Sequence, residues 1–205
     1  PLFIDKEVGL VYAGIIKFND KDNRVVETTN FNHFFKGYIF DNLFNSDKCF
    51  IPTSSTVIRK SCLEEMDCTN GTGPYWEDLS CATNEDYHLL LRLTHKYKTD
   101  YVPKHLVRYR LHDANSSKGK IKNLMATIVT IKDISNLYNI PAKRTRMKNS
   151  RYFLSIGYNY RKTNKLKALN YYLKSMRNHI RFEHFKLIAA LLSSFCLRGL
   201  KTVFL

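Results

Sequence analysis

A stretch between residues 84 and 97 combines a helix start with a strongly apolar helix face. Asn84 is a favourable N-cap residue, and Glu85 and Asp86 suit the positively polarised first turn of a helix. Apolar residues then recur at helical spacing, namely Leu89, Leu90, Leu93 and Tyr97. The pattern predicts a helix fastened to a core, with the Asp86 carboxylate held at the edge of a cleft. The alternative is that both acids only stabilise the helix N-terminus.

The net charge of +15 is concentrated in the second half of the chain. Residues 1–119 contain 15 Lys and Arg against 16 Asp and Glu, a net charge of −1, whereas residues 120–205 contain 18 against 2, a net charge of +16. This asymmetry predicts a neutral domain followed by a basic extension that meets a polyanion, either nucleic acid or an anionic membrane surface. The chain opens at Pro1 without a leader pattern, so we expect it to be a piece of a longer protein.

The five cysteines are Cys49, Cys62, Cys68, Cys81 and Cys196. Their odd number and the lack of a Cys-x-x-Cys pair in the sequence favour free thiols in a reducing compartment. The alternative is a zinc site built from the four cysteines between positions 49 and 81.

The beginning of the chain has the pattern of a sheet. Residues 8–16 form a continuous apolar run of strand length, which predicts a buried strand. Residues 25–28 predict a second strand that returns from a polar turn at 19–23. Asp20 and Asp22 have the spacing of a metal-binding carboxylate pair, but the turn-forming residues around them favour a plain hairpin turn.

The middle of the chain alternates between packed, extended and loop-forming segments. They are an aromatic core segment at 31–44, an extended run at 49–58, a short helix from Arg59 to Met66, a loop at 67–83 around Trp76, and two extended runs at 99–102 and 106–111 separated by Pro103. A loop as long as the one around Trp76 is usually functional when it lies inside a compact domain.

Five short segments follow one another in an informative order. They are Gly-Leu-Val-Tyr at 9–12, Ile-Pro-Thr-Ser-Ser-Thr-Val-Ile-Arg at 51–59, Asn-Glu-Asp-Tyr at 84–87, Tyr-Val-Pro at 101–103, and Tyr-Arg-x-His-x-x-Asn-Ser at 109–116. This combination resembles the acceptor-side half of family 2 inverting glycosyltransferases, which have the GT-A fold. The resemblance implies an α/β chain, with a partial GT-A type mixed sheet and flanking helices over 1–119 and an all-α extension over 120–205.

The same resemblance implies that a nucleotide-binding portion with an Asp-x-Asp motif precedes this chain. The chain alone would then lack most of the donor site. It departs from the family between positions 63 and 84, where only Trp-Glu-Asp-Leu at 76–79 is reminiscent of the usual Gly-Gly-Phe-Asp-Glu-x-Leu. Asp78 therefore competes with Asp86, and we prefer Asp86 because it heads a strongly apolar helix.

Inverting transfer of a sugar needs a carboxylate that accepts the acceptor's hydroxyl proton, and a cation that offsets charge on the departing nucleoside diphosphate. The resemblance implies that Asp86 is the base and that Glu85 orients it or binds an acceptor hydroxyl. His112 resembles the histidine that in some relatives joins the Asp-x-Asp carboxylate at a divalent metal, Mn²⁺ or Mg²⁺; the alternative is a loop histidine bonded to backbone. The candidate substrate-binding residues are Trp76, Tyr109 and Arg110, the last as a partner for diphosphate.

Beyond Ser117 the sequence predicts helices, at 121–138, 150–160 and 165–180. The last apolar stretch, 187–197, is flanked by Lys186 and Arg198 and is too short to span a bilayer, which takes about 20 residues. Together with the basic helices it predicts an in-plane attachment to an anionic membrane, and the alternative is a buried core helix.

The resemblance implies a bacterial-type hexosyltransferase of polysaccharide or cell-envelope biosynthesis. It would move a sugar, with inversion, from a nucleotide-sugar donor to a saccharide or lipid-linked saccharide acceptor, as a peripheral protein on the cytoplasmic face of the cell membrane. One alternative is a nucleic-acid-binding module, which the tyrosines interleaved with basic residues after position 137 favour. Another is a protein-interaction module without catalysis.

Overall fold

A computed structural model describes residues 2–66, 84–112 and 119–203, with side chains up to residue 193. The chain divides into two compact units, residues 1–119 and 120–205. The division falls where the charge balance changes. Within the described ranges the architecture is α/β, with a small open mixed sheet of four strands and seven helices.

The sheet is built around one long strand in the first unit. The strands are β1 (Val8–Asn19), β2 (Val25–Thr28), β3 (Thr56–Ile58) and β4 (Lys98–Leu111). Antiparallel β2 and β3 pair with β1 along one edge, and β4 runs parallel to β1 along the other edge. The apolar run predicted as a buried strand is buried from Val8 to Ile15. That prediction is confirmed because strands on both edges and elements on the faces shield β1 from water.

The two extended runs predicted on either side of Pro103 form the single strand β4. Val102 lies opposite Ala13 and His105 lies opposite Gly14, so Pro103 and Lys104 are extra residues in a bulge. A bulge tolerates proline because the extra residue makes no ladder hydrogen bond. The prediction of two separate runs was therefore wrong, since the break in the pattern is a local irregularity of one strand.

The helices of the first unit are α1 (Phe40–Asn45), α2 (Lys60–Glu64) and α3 (Glu85–Lys96). The α3 helix begins where the sequence predicts, with Asn84 at the N-cap position but without a side-chain capping bond. Every side chain from Tyr87 to Thr94 is buried, and the Tyr87 hydroxyl donates to the Leu43 carbonyl of α1 at 3.2 Å. Burial all round, rather than on one face, holds the start of α3 in place.

The aromatic segment 31–44 divides between core and surface. Phe34 and Leu43 are buried, whereas Phe35 and Tyr38 are exposed, so the prediction of core holds for only part of it. The Tyr12 hydroxyl donates to the Phe35 carbonyl and accepts from the Phe35 amide, both at 2.8 Å. Burial raises the pKa of Tyr12 above its ordinary value, so this side chain stays protonated and keeps both bonds.

The second unit is entirely helical in its described part. Its helices are α4 (Lys120–Leu137), α5 (Ala142–Tyr160), α6 (Lys165–Asn178) and α7 (Phe182–Val203). The α5 helix starts earlier than predicted because Pro141 takes the N-cap position and the basic residues after it continue the helix. None of the helices in the described part of the chain is both long and apolar enough to cross a membrane.

Close packing joins α5 to α6. Tyr172 is fully buried, and a Cβ atom added at Gly157 would lie 2.6 Å from the Tyr172 ring. Ala168, Tyr172 and Leu191 form a core cluster against which Leu187 and Ile188 of α7 pack. Part of the apolar stretch 187–197 is thus core, as the alternative interpretation holds.

Candidate functional site

The Asp86 carboxylate is held in the first turn of α3 by two hydrogen bonds. Its Oδ2 accepts from the Thr53 hydroxyl at 2.8 Å, and its Oδ1 accepts from the Tyr87 amide at 2.6 Å. The side chain is half-buried. Each carboxylate oxygen offers two acceptor sites, so two fixed bonds leave room for a further donor. A carboxylate of this kind can accept a proton from a bound hydroxyl group.

Thr53 owes its position to a 3₁₀ turn over Thr53–Ser55 that packs against β1. The Ser55 hydroxyl donates to the Ala13 carbonyl of β1 at 2.6 Å, and Thr56, the first residue of β3, lies opposite Tyr12. The segment 51–59 and the start of α3 therefore meet beside the middle of β1. These are two of the segments on which the family resemblance rests.

Glu85 is exposed and precedes Asp86 by one position. Neighbouring residues on a helix diverge by about 100°, so the two carboxylates point in different directions. Glu85 is therefore better placed to meet a molecule from solvent than to orient Asp86.

The other candidate residues lie at the far end of the sheet or outside the described residues. Tyr109 lies opposite Lys17 and Arg110 opposite Phe18, five residues along β1 from Ala13 and so about 16 Å from the level of Thr53. His112 directly follows β4 at the same end. The structure does not bring this group together with Asp86. Outside the described residues lie Trp76, Asp78, and two of the four cysteines of the zinc alternative, Cys68 and Cys81.

Arg110 has a partner within the protein. Its Nη1 lies 3.4 Å from Asp20 Oδ1, and the Asp20 amide donates to the Leu111 carbonyl at 3.0 Å. Asp20 and Asp22 belong to the turn between β1 and β2, as predicted. The turn thus places an acidic group beside the arginine that was proposed for a diphosphate.

The described residues do not fit a complete metal site. Within 2–66, 84–112 and 119–203, no three His, Cys, Asp or Glu side chains are grouped so that they could hold a metal ion. Near His112 the Asp20 carboxylate already faces the Arg110 cation, which opposes binding of a second cation. His112 can contribute one nitrogen ligand, and further ligands would have to come from residues not described.

A cavity of about 830 Å³ lies on the β2 side of β1 and was missed by sequence reasoning. Its walls include Phe35 and Phe50, whose ring centroids are 5.2 Å apart, and the polar side chains of His33 and Lys48. Pro52 completes the wall next to Thr53, so the cavity adjoins the segment that holds Asp86. The mixture of Asn, His and Phe in 30–50 was the available signal, but its spacing also suits a packed core.

An ion pair forms another part of this wall. Lys17 Nζ lies 2.8 Å from Glu27 Oε2, and this hydrogen bond lowers the pKa of the Glu27 carboxyl, with a smaller contribution from the charge of Lys48. Both signs of charge are therefore present at the cavity, together with aromatic rings. Such a surface suits an uncharged polar molecule with an apolar face better than a strongly charged one.

The second unit contains a serine and a histidine at the distance that separates a catalytic serine from its base. The distance is the only feature that they share with such a pair. Ser175 Oγ lies 2.7 Å from His184 Nε2 and donates to the Ser150 carbonyl at 2.6 Å. Ser175 and His184 are completely buried. Since a substrate cannot reach either side chain, the pair joins α5, α6 and α7 and is not a candidate active site.

Comparisons of the chain with models of protein families, with curated proteins and with solved structures find no match. An inference about function therefore depends on the sequence, the fold and the geometry around Asp86.

Proposed function

We propose that this chain is the acceptor-side part of an inverting glycosyltransferase of the family 2 type. The hydrogen bond between Thr53 and Asp86, 33 positions apart, carries this proposal. It joins two segments whose sequences resemble the family separately, next to a third such segment at 9–12 in β1. The meeting of these segments at one carboxylate supports the proposal.

In the proposed reaction Asp86 is the general base. It accepts the proton of an acceptor hydroxyl while that oxygen forms a bond to the anomeric carbon of the donor sugar, and the bond to the nucleoside diphosphate breaks on the opposite face. Thr53 holds one carboxylate oxygen through its hydroxyl, which leaves the rest of the group free to face the acceptor. Glu85 would bind another hydroxyl of the acceptor at the surface.

The acceptor would occupy the cavity beside Pro52. A sugar ring has an apolar face that stacks on aromatic side chains and hydroxyl groups that bond to polar ones, and the cavity provides Phe35 and Phe50 beside His33 and Lys48. Its 830 Å³ suits one or two sugar units, such as the end of a saccharide or of a lipid-linked saccharide.

The proposal also assigns residues to the donor side of the reaction. A divalent metal, Mn²⁺ or Mg²⁺, would offset the charge of the departing diphosphate when bound, with His112 as one ligand. Arg110 would reach a diphosphate only by leaving Asp20, and Tyr109 would line the same end of the sheet. The proposed setting is the cytoplasmic face of a bacterial cell membrane, where a lipid-linked acceptor for polysaccharide synthesis is found.

The test is turnover of nucleotide-sugars by the parent protein that contains this chain. Asp86→Asn keeps the size of the side chain and removes the base, so we expect a loss of about a hundredfold to ten-thousandfold in kcat. Release of the sugar from a panel of donors with manganese is measured, and circular dichroism confirms that the variant is folded.

Matched variants separate the base from its surroundings. Glu85→Gln, one position away, should retain most of the kcat, and Thr53→Val should reduce it less than Asp86→Asn does. Full activity of Asp86→Asn would remove Asp86 from the mechanism. Loss of activity only in Asp78→Asn would assign the base to the second acidic pair.

A further inference from the structure

The last helix of the second unit exposes large apolar side chains to solvent. Phe182 is 72% exposed, Phe185 53% and Leu192 49%, and Ile180, just before α7, is 65% exposed. Residues three and seven positions apart lie on one face of a helix, so Phe182, Phe185 and Leu192 are neighbours. We call these four residues the α7 strip; along the helix it is about 15 Å long.

The opposite face of α7 is fastened to the rest of the unit. His184 and Leu191, seven positions apart, are both buried. His184 Nδ1 lies 3.0 Å from both the amide nitrogen and the carbonyl oxygen of Arg181, and its Nε2 lies 2.7 Å from Ser175 Oγ. The rotation of α7 about its axis is therefore fixed. The α7 strip faces outward because the other face is already used.

Positively charged residues lie beside the α7 strip. Residues 120–205 carry a net charge of +16, and the sequence of α6 contains no acidic residue. Lys186 Nζ lies 4.9 Å from the centre of the Phe182 ring, directly beside the strip. Arg181 follows Ile180 in the connection between α6 and α7, and Arg177 lies in the last turn of α6, while Glu183 is the acidic residue in the first turn of α7.

We infer that the α7 strip docks on a lipid bilayer that contains anionic lipids. The helix would lie in the plane of the interface, with Phe182, Phe185 and Leu192 among the upper parts of the acyl chains and the neighbouring cations at the head groups. Stable attachment to a membrane takes two contributions, apolar insertion and attraction to anionic lipid, and this surface has both.

Tyr160 and Tyr171, two of the tyrosines of α5 and α6, offer little open ring face on which a nucleic-acid base could stack. Tyr171 stacks on Tyr160, with centroids 5.8 Å apart, and on Phe153 at 6.3 Å. Lys167 Nζ lies 5.5 Å from the centre of the Tyr160 ring. Bases of a single strand stack on open ring faces, and these faces are occupied by neighbouring side chains. The positive charge is therefore better matched to lipid head groups than to bases.

This inference depends on the second unit alone and not on the proposed transfer of sugar. Membrane binding is measured without donor or acceptor, and Asp86→Asn should leave it unchanged. A failure of either proposal is thus recognised separately.

The test is co-sedimentation of the full chain with vesicles. We expect binding to vesicles of equal parts phosphatidylcholine and phosphatidylglycerol, little binding to phosphatidylcholine alone, and a decrease with added salt. Replacing both Phe182 and Phe185 by Ser should weaken binding to the anionic vesicles by about tenfold or more, because two partly inserted rings are lost. These side chains are exposed, so the fold should be unaffected, as circular dichroism can verify.

Leu166→Ser is the matched control. Leu166 is also highly exposed, but it lies at the opposite end of α6, a helix of 14 residues that is about 20 Å long. Its variant should bind vesicles like the unchanged chain. Equal binding by the Phe182/Phe185 variant would overturn the inference, as would dimers that dissociate in this variant.

Discussion

The two units differ in how far apart in the sequence their contacting residues lie. In the first unit, contacts join distant parts of the chain, such as Arg110 with Asp20, 90 positions earlier. In the second unit each helix packs on the next, and the polar junction at Ser175 joins residues 25 and 9 positions away. A unit of long-range contacts can bring separate segments to one carboxylate, whereas a unit of neighbouring helices builds a continuous surface. The candidate site accordingly lies in the first unit, and the α7 strip lies on the surface of the second.

The largest effect is expected from a cavity made in the core of each unit. Leu91→Ala in α3 and Ile156→Ala in α5 remove fully buried side chains, and each should lower the free energy of unfolding by about 2–5 kcal/mol. Hydrogen exchange followed residue by residue should show faster exchange in β1, β4 and α3 for the first variant and in α5 and α6 for the second. The same pattern of exchange in both variants would contradict a division into two units.

A smaller effect is expected at the helix–helix contact of the second unit. Alanine in place of a helix glycine usually stabilises by about 1 kcal/mol. At Gly157 the new Cβ would meet the Tyr172 ring at 2.6 Å, so Gly157→Ala should instead destabilise by about 1–3 kcal/mol. Thermal unfolding followed by circular dichroism measures the sign. Ser155→Ala, at an exposed position of the same helix, is the control and should change the stability little.

The smallest effect concerns pH in the first unit. The hydrogen bond from Lys17 lowers the pKa of Glu27 in the folded state. The resulting stabilisation is present above the ordinary pKa of a glutamate and is lost as the pH falls through the lowered pKa. Because Lys17 is 36% exposed and Glu27 63%, we expect less than about 1 kcal/mol.

Removing the partner tests this expectation. In Lys17→Met the pKa of Glu27, followed by NMR, should return toward its ordinary value. An unchanged pKa would show that another charge is responsible. The second unit, with two acidic residues in 120–205, offers few carboxylates for an effect of this kind.

Local patterns in the sequence predicted the individual helices and strands better than the tertiary contacts between them. The start of α3 at Glu85 and the buried run of β1 follow from capping preferences and apolar spacing, which act within a few residues. The bulge at Pro103 was read as a break because its tolerance depends on the partner strand β1. The early start of α5 was missed because its first turns are basic and lack an apolar periodicity.

The candidate site likewise depends on tertiary contacts that local sequence patterns do not reveal. Asp86 could be selected from the sequence, but its bond to Thr53 depends on where β1 places the segment 51–59. The cavity was missed because Phe35 belongs to the segment 31–44 that was predicted as core and Phe50 to the extended run 49–58, and only the tertiary arrangement leaves a space beside them. On α7, periodicity alone did not separate the packed face from the exposed one.

The bulge in β4 has a further consequence for the protein in concentrated solution. Among the described residues, the edge of β4 away from β1 is paired at Thr99, which exchanges two hydrogen bonds with Gly37. Beyond that bridge the strand carries Pro103, Lys104 and Arg108. A strand from another molecule would meet a residue without an amide proton, an irregular backbone and a row of positive charges. The bulge at Pro103, which made β4 look like two separate runs in the sequence, thus also protects the sheet against growth into aggregates.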